Sequence, residues 1–146
     1  MTIQDLVGTF SIVGSNQDAT DNSYKGTLCL SLNEDKRIVA KWTINSTEYQ
    51  YGTGFFKNNI LVINFYYKGL ENKTYKGVVV YKCIHRDVLE GFWSEKHGNP
   101  NFLGTENCFR DKNTKIVTDK ILILNITIMV RAVGLEPTRV LPPAGF

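Results

Sequence analysis

Between Gly8 and Arg110 the chain alternates apolar and polar residues with a period of two, the repeat of a half-buried strand. Thr27-Leu28-Cys29-Leu30-Ser31-Leu32 is one such run, and Ile38-Val39-Ala40-Lys41-Trp42-Thr43-Ile44 is apolar at its even positions. No stretch there keeps the three-to-four spacing of an amphipathic helix over helical length. Turn-forming residues interrupt the runs at Asn16 to Ser23, Asn33 to Lys36, Asn45-Ser46, Lys57-Asn58-Asn59, Lys68 to Thr74, His85-Arg86-Asp87 and Lys96 to Asn101. The pattern predicts eight strands, over 8–14, 24–32, 37–44, 47–56, 60–67, 75–82, 88–94 and 103–110. Each connection is short enough for an antiparallel hairpin, which makes the order up-and-down.

A sheet of this kind hides its edges by closing on itself. Eight strands enclose an interior that is either filled by side chains or holds one small ligand. The fold expectation is therefore an all-β, eight-stranded antiparallel up-and-down barrel, with a two-sheet sandwich as the alternative. Glycines inside the predicted strands (Gly26, Gly52, Gly54, Gly77, Gly91 and Gly104) favour the barrel, because strand glycines mark bends and close approaches.

Composition narrows this picture without changing it. The 146 residues suit one domain, and 42% hydrophobic with 21% charged residues is ordinary globular usage. The formal charge of +3 is divided along the chain. Residues 1–110 carry twelve basic against eleven acidic residues, and the tail the remaining excess, so no basic face for nucleic acid is expected. Sixteen of the seventeen aromatics also precede residue 111. These shifts divide the chain into a barrel domain, 1–110, and a weakly structured tail, 111–146. Ile121 to Val130 is too short for a spanning helix, which needs roughly 20 apolar residues; a ninth strand there is another option. Three cysteines (Cys29, Cys83, Cys108) allow at most one disulfide. Met1-Thr2-Ile3-Gln4-Asp5 has no signal-peptide character, so a cytoplasmic setting with free thiols is expected, or an exported one if the true start lies upstream.

Gly8-Thr9-Phe10, Tyr24-Lys25-Gly26-Thr27, Lys41-Trp42-Thr43-Ile44, Gly52-Thr53-Gly54-Phe55, Leu89-Glu90-Gly91-Phe92-Trp93 and Gly104-Thr105-Glu106-Asn107 follow one another in order. Together they resemble a widespread bacterial group of small avidin-like or lipocalin-like barrels, some labelled fibronectin-binding. The resemblance covers about residues 8–110 and implies a fold more than an activity. It carries no biotin site over residue by residue. In the tail, Arg131-Ala132-Val133-Gly134-Leu135-Glu136-Pro137-Thr138-Arg139 and the residues after it resemble a reading frame continued through a transfer-RNA gene.

Candidate chemistry is sparse. Cys83 and His85 lie two apart, but a metal site needs more ligands at fixed spacing and only His97 is left, so a loop thiol and a solvated imidazole are the plainer reading. A Cys/His nucleophilic pair lacks any nameable orienting group. If Gly91 lies opposite Glu106 and Trp93 opposite Gly104, then Glu106 shares a face with Leu89, Trp93 and Cys108 while Glu90 faces away. The two carboxylates then form no acid/base pair. An inward Glu106 needs partners, because a buried charge is costly. It anchors a ligand, or it accepts structural hydrogen bonds from Trp42, Trp93, an Arg or a backbone amide, the latter being favoured.

Tyr49, Tyr51 and Phe55 share one face of the fourth strand, Phe65 and Tyr67 one of the fifth, and Tyr75 and Tyr81 one of the sixth. With the tryptophans these rings either fill the core or line a cavity with a few polar tips. Strands four and five are apolar on both faces, so the inward face stays open. The functional expectation is non-catalytic binding of a small, partly apolar ligand by Trp42, Tyr49, Tyr51, Phe65, Tyr81, Trp93 and Glu106, without metal or cofactor. The alternative is a protein-interaction module that uses the outer wall or loops.

Overall fold

The chain reverses at each predicted break, at some of them through tight turns. Asn58 and Asn59 take left-handed φ values of 51° and 62°, the geometry of a two-residue hairpin turn that matches strand twist, and asparagine tolerates it well. In a computed structural model of the protein, described for residues 1–20 and 22–112, the turns separate eight strands. They are β1 (Gly8–Ser15), β2 (Ser23–Leu32), β3 (Ile38–Ile44), β4 (Glu48–Lys57), β5 (Ile60–Lys68), β6 (Thr74–His85), β7 (Val88–Glu95) and β8 (Gly104–Arg110). Each pairs antiparallel with the next, and β8 returns to β1 with Cys108 opposite Ile12, closing the barrel.

The fold class is the predicted one, and strand ends agree within a residue except in β6. That strand continues to His85 through an irregularity between Cys83 and His85, so Cys83 is a buried strand residue and not a loop thiol. His85 is exposed, as expected, and its Nδ1 accepts a 3.0 Å hydrogen bond from the Asp87 amide. The three cysteines are free thiols. Residues 113–146, including the proposed ninth strand, lie outside the described residues.

One end of the barrel is plugged. A short 3₁₀ turn (Ile3–Leu6), which the period-two pattern does not reveal, drives Leu6 into the core with 0% exposure. The Thr2 amide donates to the Asp5 carboxylate at 2.8 Å, fixing the turn and holding that carboxyl below its ordinary range. Arg110, at the end of the last strand, ties the plug down. It donates to the carbonyls of Val7 (2.8 Å), Asp5 (2.5 Å) and Arg86 (2.9 Å) and pairs with Asp87 at 3.0 Å. Its guanidinium also lies 4.6 Å from the centre of the Phe10 ring.

The inward positions follow the strand period. They include Phe10 and Ile12, Tyr24, Leu28 and Leu30, Ile38, Ala40, Trp42 and Ile44, Leu61, Ile63 and Phe65, Val79 and Tyr81, Leu89 and Trp93, and Cys108. So many rings fit one narrow barrel because large residues face glycines across the sheet: Tyr24 opposite Gly14, Phe65 opposite Gly77, Tyr81 opposite Gly91 and Trp93 opposite Gly104. The last pair is the closest. A Cβ on Gly104 would sit 2.0 Å from the Trp93 indole. β4 shows the same economy of space. Its glycine face (Gly52, Gly54) turns inward under Ile63 and Phe65, and its aromatic face turns out.

Candidate functional site

At the waist of the barrel the interior is filled. Glu106 is fully buried, and its carboxyl receives the Tyr24 hydroxyl at 2.7 Å, the Trp42 indole N–H at 2.9 Å and the Tyr81 hydroxyl. The Tyr24 oxygen in turn accepts from the Trp93 indole at 3.1 Å. Phe65 packs edge-on against both tryptophans, with centroids 6.1 Å from Trp42 and 6.2 Å from Trp93. Burial pushes the Glu106 carboxyl above its ordinary range, and the three donors offset part of that rise. Burial first, and then the Glu106 charge, raise both tyrosine hydroxyls well above theirs. Tyr24 and Tyr81 therefore stay protonated as donors. The favoured structural role of Glu106 is the one the geometry supports, with Tyr24 and Tyr81 as donors beside Trp42. Glu90 is exposed on the outer wall, away from Glu106.

The end opposite the plug is open. The inward phase of β4, β5, β6 and β7 continues past the waist and, with the residues just past β1, lines a cup of about 970 Å³. Trp93 forms part of its floor. Tyr67 and Tyr75, directly opposed on β5 and β6, stack with centroids 5.3 Å apart to make one wall. Gln50 on β4 and Asn16, just past β1, complete the lower lining, at 3% and 8% exposure. Their carboxamide oxygens, Gln50 Oε1 and Asn16 Oδ1, are buried and accept no hydrogen bond. An unmet buried acceptor costs about 1–3 kcal/mol, so a donor arriving from outside is rewarded there.

Higher in the cup the lining includes the carboxylates of Asp18, Glu48 and Glu95. Glu95, two residues beyond Trp93 on β7, accepts the Tyr67 hydroxyl at 2.5 Å. Burial raises its pKa, and this bond partly lowers it again. Glu48, in phase with Gln50, is also raised by burial. The Tyr67 hydroxyl is pushed up by burial, by its bond to Glu95, and by the nearby charges of Glu95 and Glu48. Gln17 braces the rim: it donates to the Phe102 carbonyl at 2.9 Å and accepts from the Glu95 amide at 2.9 Å.

The seven residues expected to share a site do not converge. Trp42, Phe65, Tyr81 and Glu106 meet in the filled waist, and Trp93 joins them while also reaching the cup floor. Tyr49 and Tyr51 correct the expectation that they point inward. They are 51% and 41% exposed on the outer face of β4 and only border the mouth. The reason is volume, since Trp42 and Phe65 already fill the space beside β4 and leave room only for Gln50 and the glycines. Asn16, Glu48, Gln50 and Glu95 were missed as site residues. The signal was phase: Glu95 continues Leu89, Gly91 and Trp93 at a period of two. The two buried thiols offer little reactivity. Burial pushes Cys83 up to about 11, and Cys108 is raised well above its ordinary value.

A second groove of about 1000 Å³ runs along the outer wall. Tyr51 and Tyr66 border it, with ring centroids 5.9 Å apart, and Val39, Thr53 and Val78 lie alongside. Among the described residues no helix is long and apolar enough to cross a membrane.

No protein-family model matches the sequence, and no curated protein matches it significantly. Solved structures of small β-barrels do match the fold. A redesigned β-barrel, b11L5F_LGL, superposes with a TM-score of 0.57 at 16% identity, over 75% of this chain and 95% of its own. The redesigned barrel mFAP1, solved bound to DFHBI, gives 0.55 at 21% identity, over 74% and 97%. Another, mFAP0 bound to DFHBI, gives 0.54 at 21%, over 73% and 100%. At such identities the likeness is one of fold.

Proposed function

We propose that the protein is a non-catalytic binder of a small, partly apolar ligand, held in the open cup above the aromatic waist. The observation that carries this reading is the pair of buried, unpartnered amide oxygens of Asn16 and Gln50 in an aromatic-lined recess open to solvent. A recess that is mostly apolar, with a few fixed polar groups, is the usual form of a small-molecule site. Trp93, Tyr67 and Tyr75 supply the apolar surface, and the rigid Glu106 cluster beneath them keeps the floor in place. Two of the similar barrels were solved with DFHBI bound, which supports the capacity of a barrel this size to take a ligand. The raised pKa values of the buried Cys83 and Cys108 thiols and the separation of Glu90 and Glu106 on opposite faces support the non-catalytic reading.

The direct test is titration with the neutral fluorophore N-phenyl-1-naphthylamine. Saturable binding is expected, weakened about tenfold by Tyr75→Ala, the equivalent of about 1.4 kcal/mol of lost ring contact. Absence of saturable binding to the wild type overturns the reading.

The alternative is a protein-interaction module, as the fibronectin-binding label of the resembling barrels implies. It is favoured by one observation, the exposed Tyr51–Tyr66 pair on the outer groove. Fluorophore binding that is insensitive to Tyr75→Ala and lost in Tyr66→Ala would move the site to that wall.

A further inference from the structure

The chemistry of the cup is one-sided. Its lining is rich in acceptors: the unpartnered oxygens of Asn16 and Gln50 at the bottom, and above them the carboxylates of Glu48 and Glu95, the latter already accepting from Tyr67. Among the described residues neither carboxylate is in an ion pair. The lining holds one ammonium, that of Lys68, and it donates to the Thr74 hydroxyl at 2.8 Å. The acids are therefore not neutralised from within the site. A ligand that suits this lining must bring hydrogen-bond donors and positive charge.

We propose that the cup selects an organic cation, a protonated amine carried on a flat apolar body. This deepens the small-ligand reading above and rests on it. An ammonium group has three donors and no acceptor, so it can meet the amide oxygens and the carboxylates without leaving an unmet group of its own. The ring stack of Tyr67 and Tyr75 is a favourable neighbour for a cation, and the floor at Trp93 receives the apolar body. Tyr67 already spends its hydroxyl on Glu95, which turns that carboxylate toward the cup wall and holds it for a ligand. The same lining disfavours anions. A carboxylate in the cup would face Glu48, Glu95 and two carbonyl oxygens with only the Lys68 ammonium, already bonded to Thr74, as a cation in the described lining, the kind of mismatch that produces specificity.

The setting of the two acids, a half-buried Glu95 and a more exposed Glu48, fits this assignment. Partial loss of water makes their charged forms costly, and both are raised. A cation placed between them supplies the missing counter-charge.

The test is a calorimetric series with three probes of nearly equal shape: phenethylammonium, 2-phenylethanol and phenylacetate, at pH 7 and low salt. Phenethylammonium should bind about tenfold or more tightly than 2-phenylethanol, with phenylacetate weakest. Glu95→Gln and Glu48→Gln should each weaken phenethylammonium about fivefold and leave 2-phenylethanol unchanged, which separates lost charge from a damaged cup. Circular dichroism matching the wild type establishes that each variant is folded, and either variant alone suffices. Equal binding of the cation and the alcohol, or preference for phenylacetate, overturns the cation assignment while the small-ligand reading stands. If none of the three binds, and N-phenyl-1-naphthylamine does not bind either, both readings fall. If only the fluorophore binds, the cation assignment alone falls.

Discussion

Removing the Glu106 side chain should damage the barrel more than any exposed substitution, and the cost can be worked from its partners. Glu106→Ala withdraws the acceptor of three buried donors: the Tyr24 hydroxyl, the Trp42 indole and the Tyr81 hydroxyl. Tyr24 has a second acceptor within reach, the Thr105 carbonyl at 3.3 Å, and can turn to it. For the other two, losing this acceptor costs about 1–3 kcal/mol each, and the vacated space adds to that, which sums to about 3–6 kcal/mol. Against a total of about 5–15 kcal/mol for a typical domain, that is a large fraction. Urea unfolding followed by tryptophan fluorescence should show it as a midpoint lowered by about 2 M. Glu106→Gln keeps the shape and one acceptor oxygen, and should cost about 1–2 kcal/mol.

The two variants also separate by pH. The Glu106 carboxyl is raised above 4.5, its ordinary value, so the folded state holds its proton more tightly than the unfolded chain does. Stability from that proton is complete below the ordinary carboxyl range and is lost as pH rises from there through the raised folded pKa. The advantage of wild type over Glu106→Gln should therefore shrink as pH rises from the ordinary carboxyl range, and the difference between the two isolates this group from Glu48 and Glu95, also raised. An Ala midpoint equal to wild type would refute the structural role of the cluster. A wild-type advantage that grows with pH would refute the direction of the shift.

Trp42→Ala should cost about 3–5 kcal/mol in the same assay, because the indole is fully buried. Gly104→Ala, one methyl group, should cost about 1–3 kcal/mol by forcing the Trp93 ring out of place, and should blue- or red-shift its emission in the folded state. Labelling with a thiol-reactive disulfide in native buffer should modify exposed Cys29 at once and Cys83 and Cys108 only after unfolding, as counted by mass spectrometry. A stop codon after Lys112 should leave the urea midpoint nearly unchanged, because β8 already pairs with β1 and the Asp111 amide bonds the Thr9 carbonyl at 2.9 Å; loss of several kcal/mol on truncation would make residues 113–146 part of the folding unit.

Strand number, order and hairpin connection were decided locally, and so they are legible along the chain. Alternation sets a strand, and Asn58-Asn59 or Asn45-Ser46 sets a turn, with no distant partner consulted. The burial of Trp42 and Trp93 and the opposed faces of Glu90 and Glu106 follow from the same two-residue period. Which face of β4 looks inward was not local. Tyr49, Tyr51 and Phe55 make that face the more hydrophobic one, yet it lies outside, because Trp42 on β3 and Phe65 on β5 compete for the same interior volume and only glycine leaves them room. The plug at Ile3–Leu6 is similarly invisible in sequence, since its anchor, Arg110, lies at the other end of the domain. The cup is the clearest case. Asn16, Gln50 and Glu95 read as strand-end polar residues facing water, and only closure of the barrel brings three separate strand ends around one recess, burying Asn16 and Gln50 and half-burying Glu95.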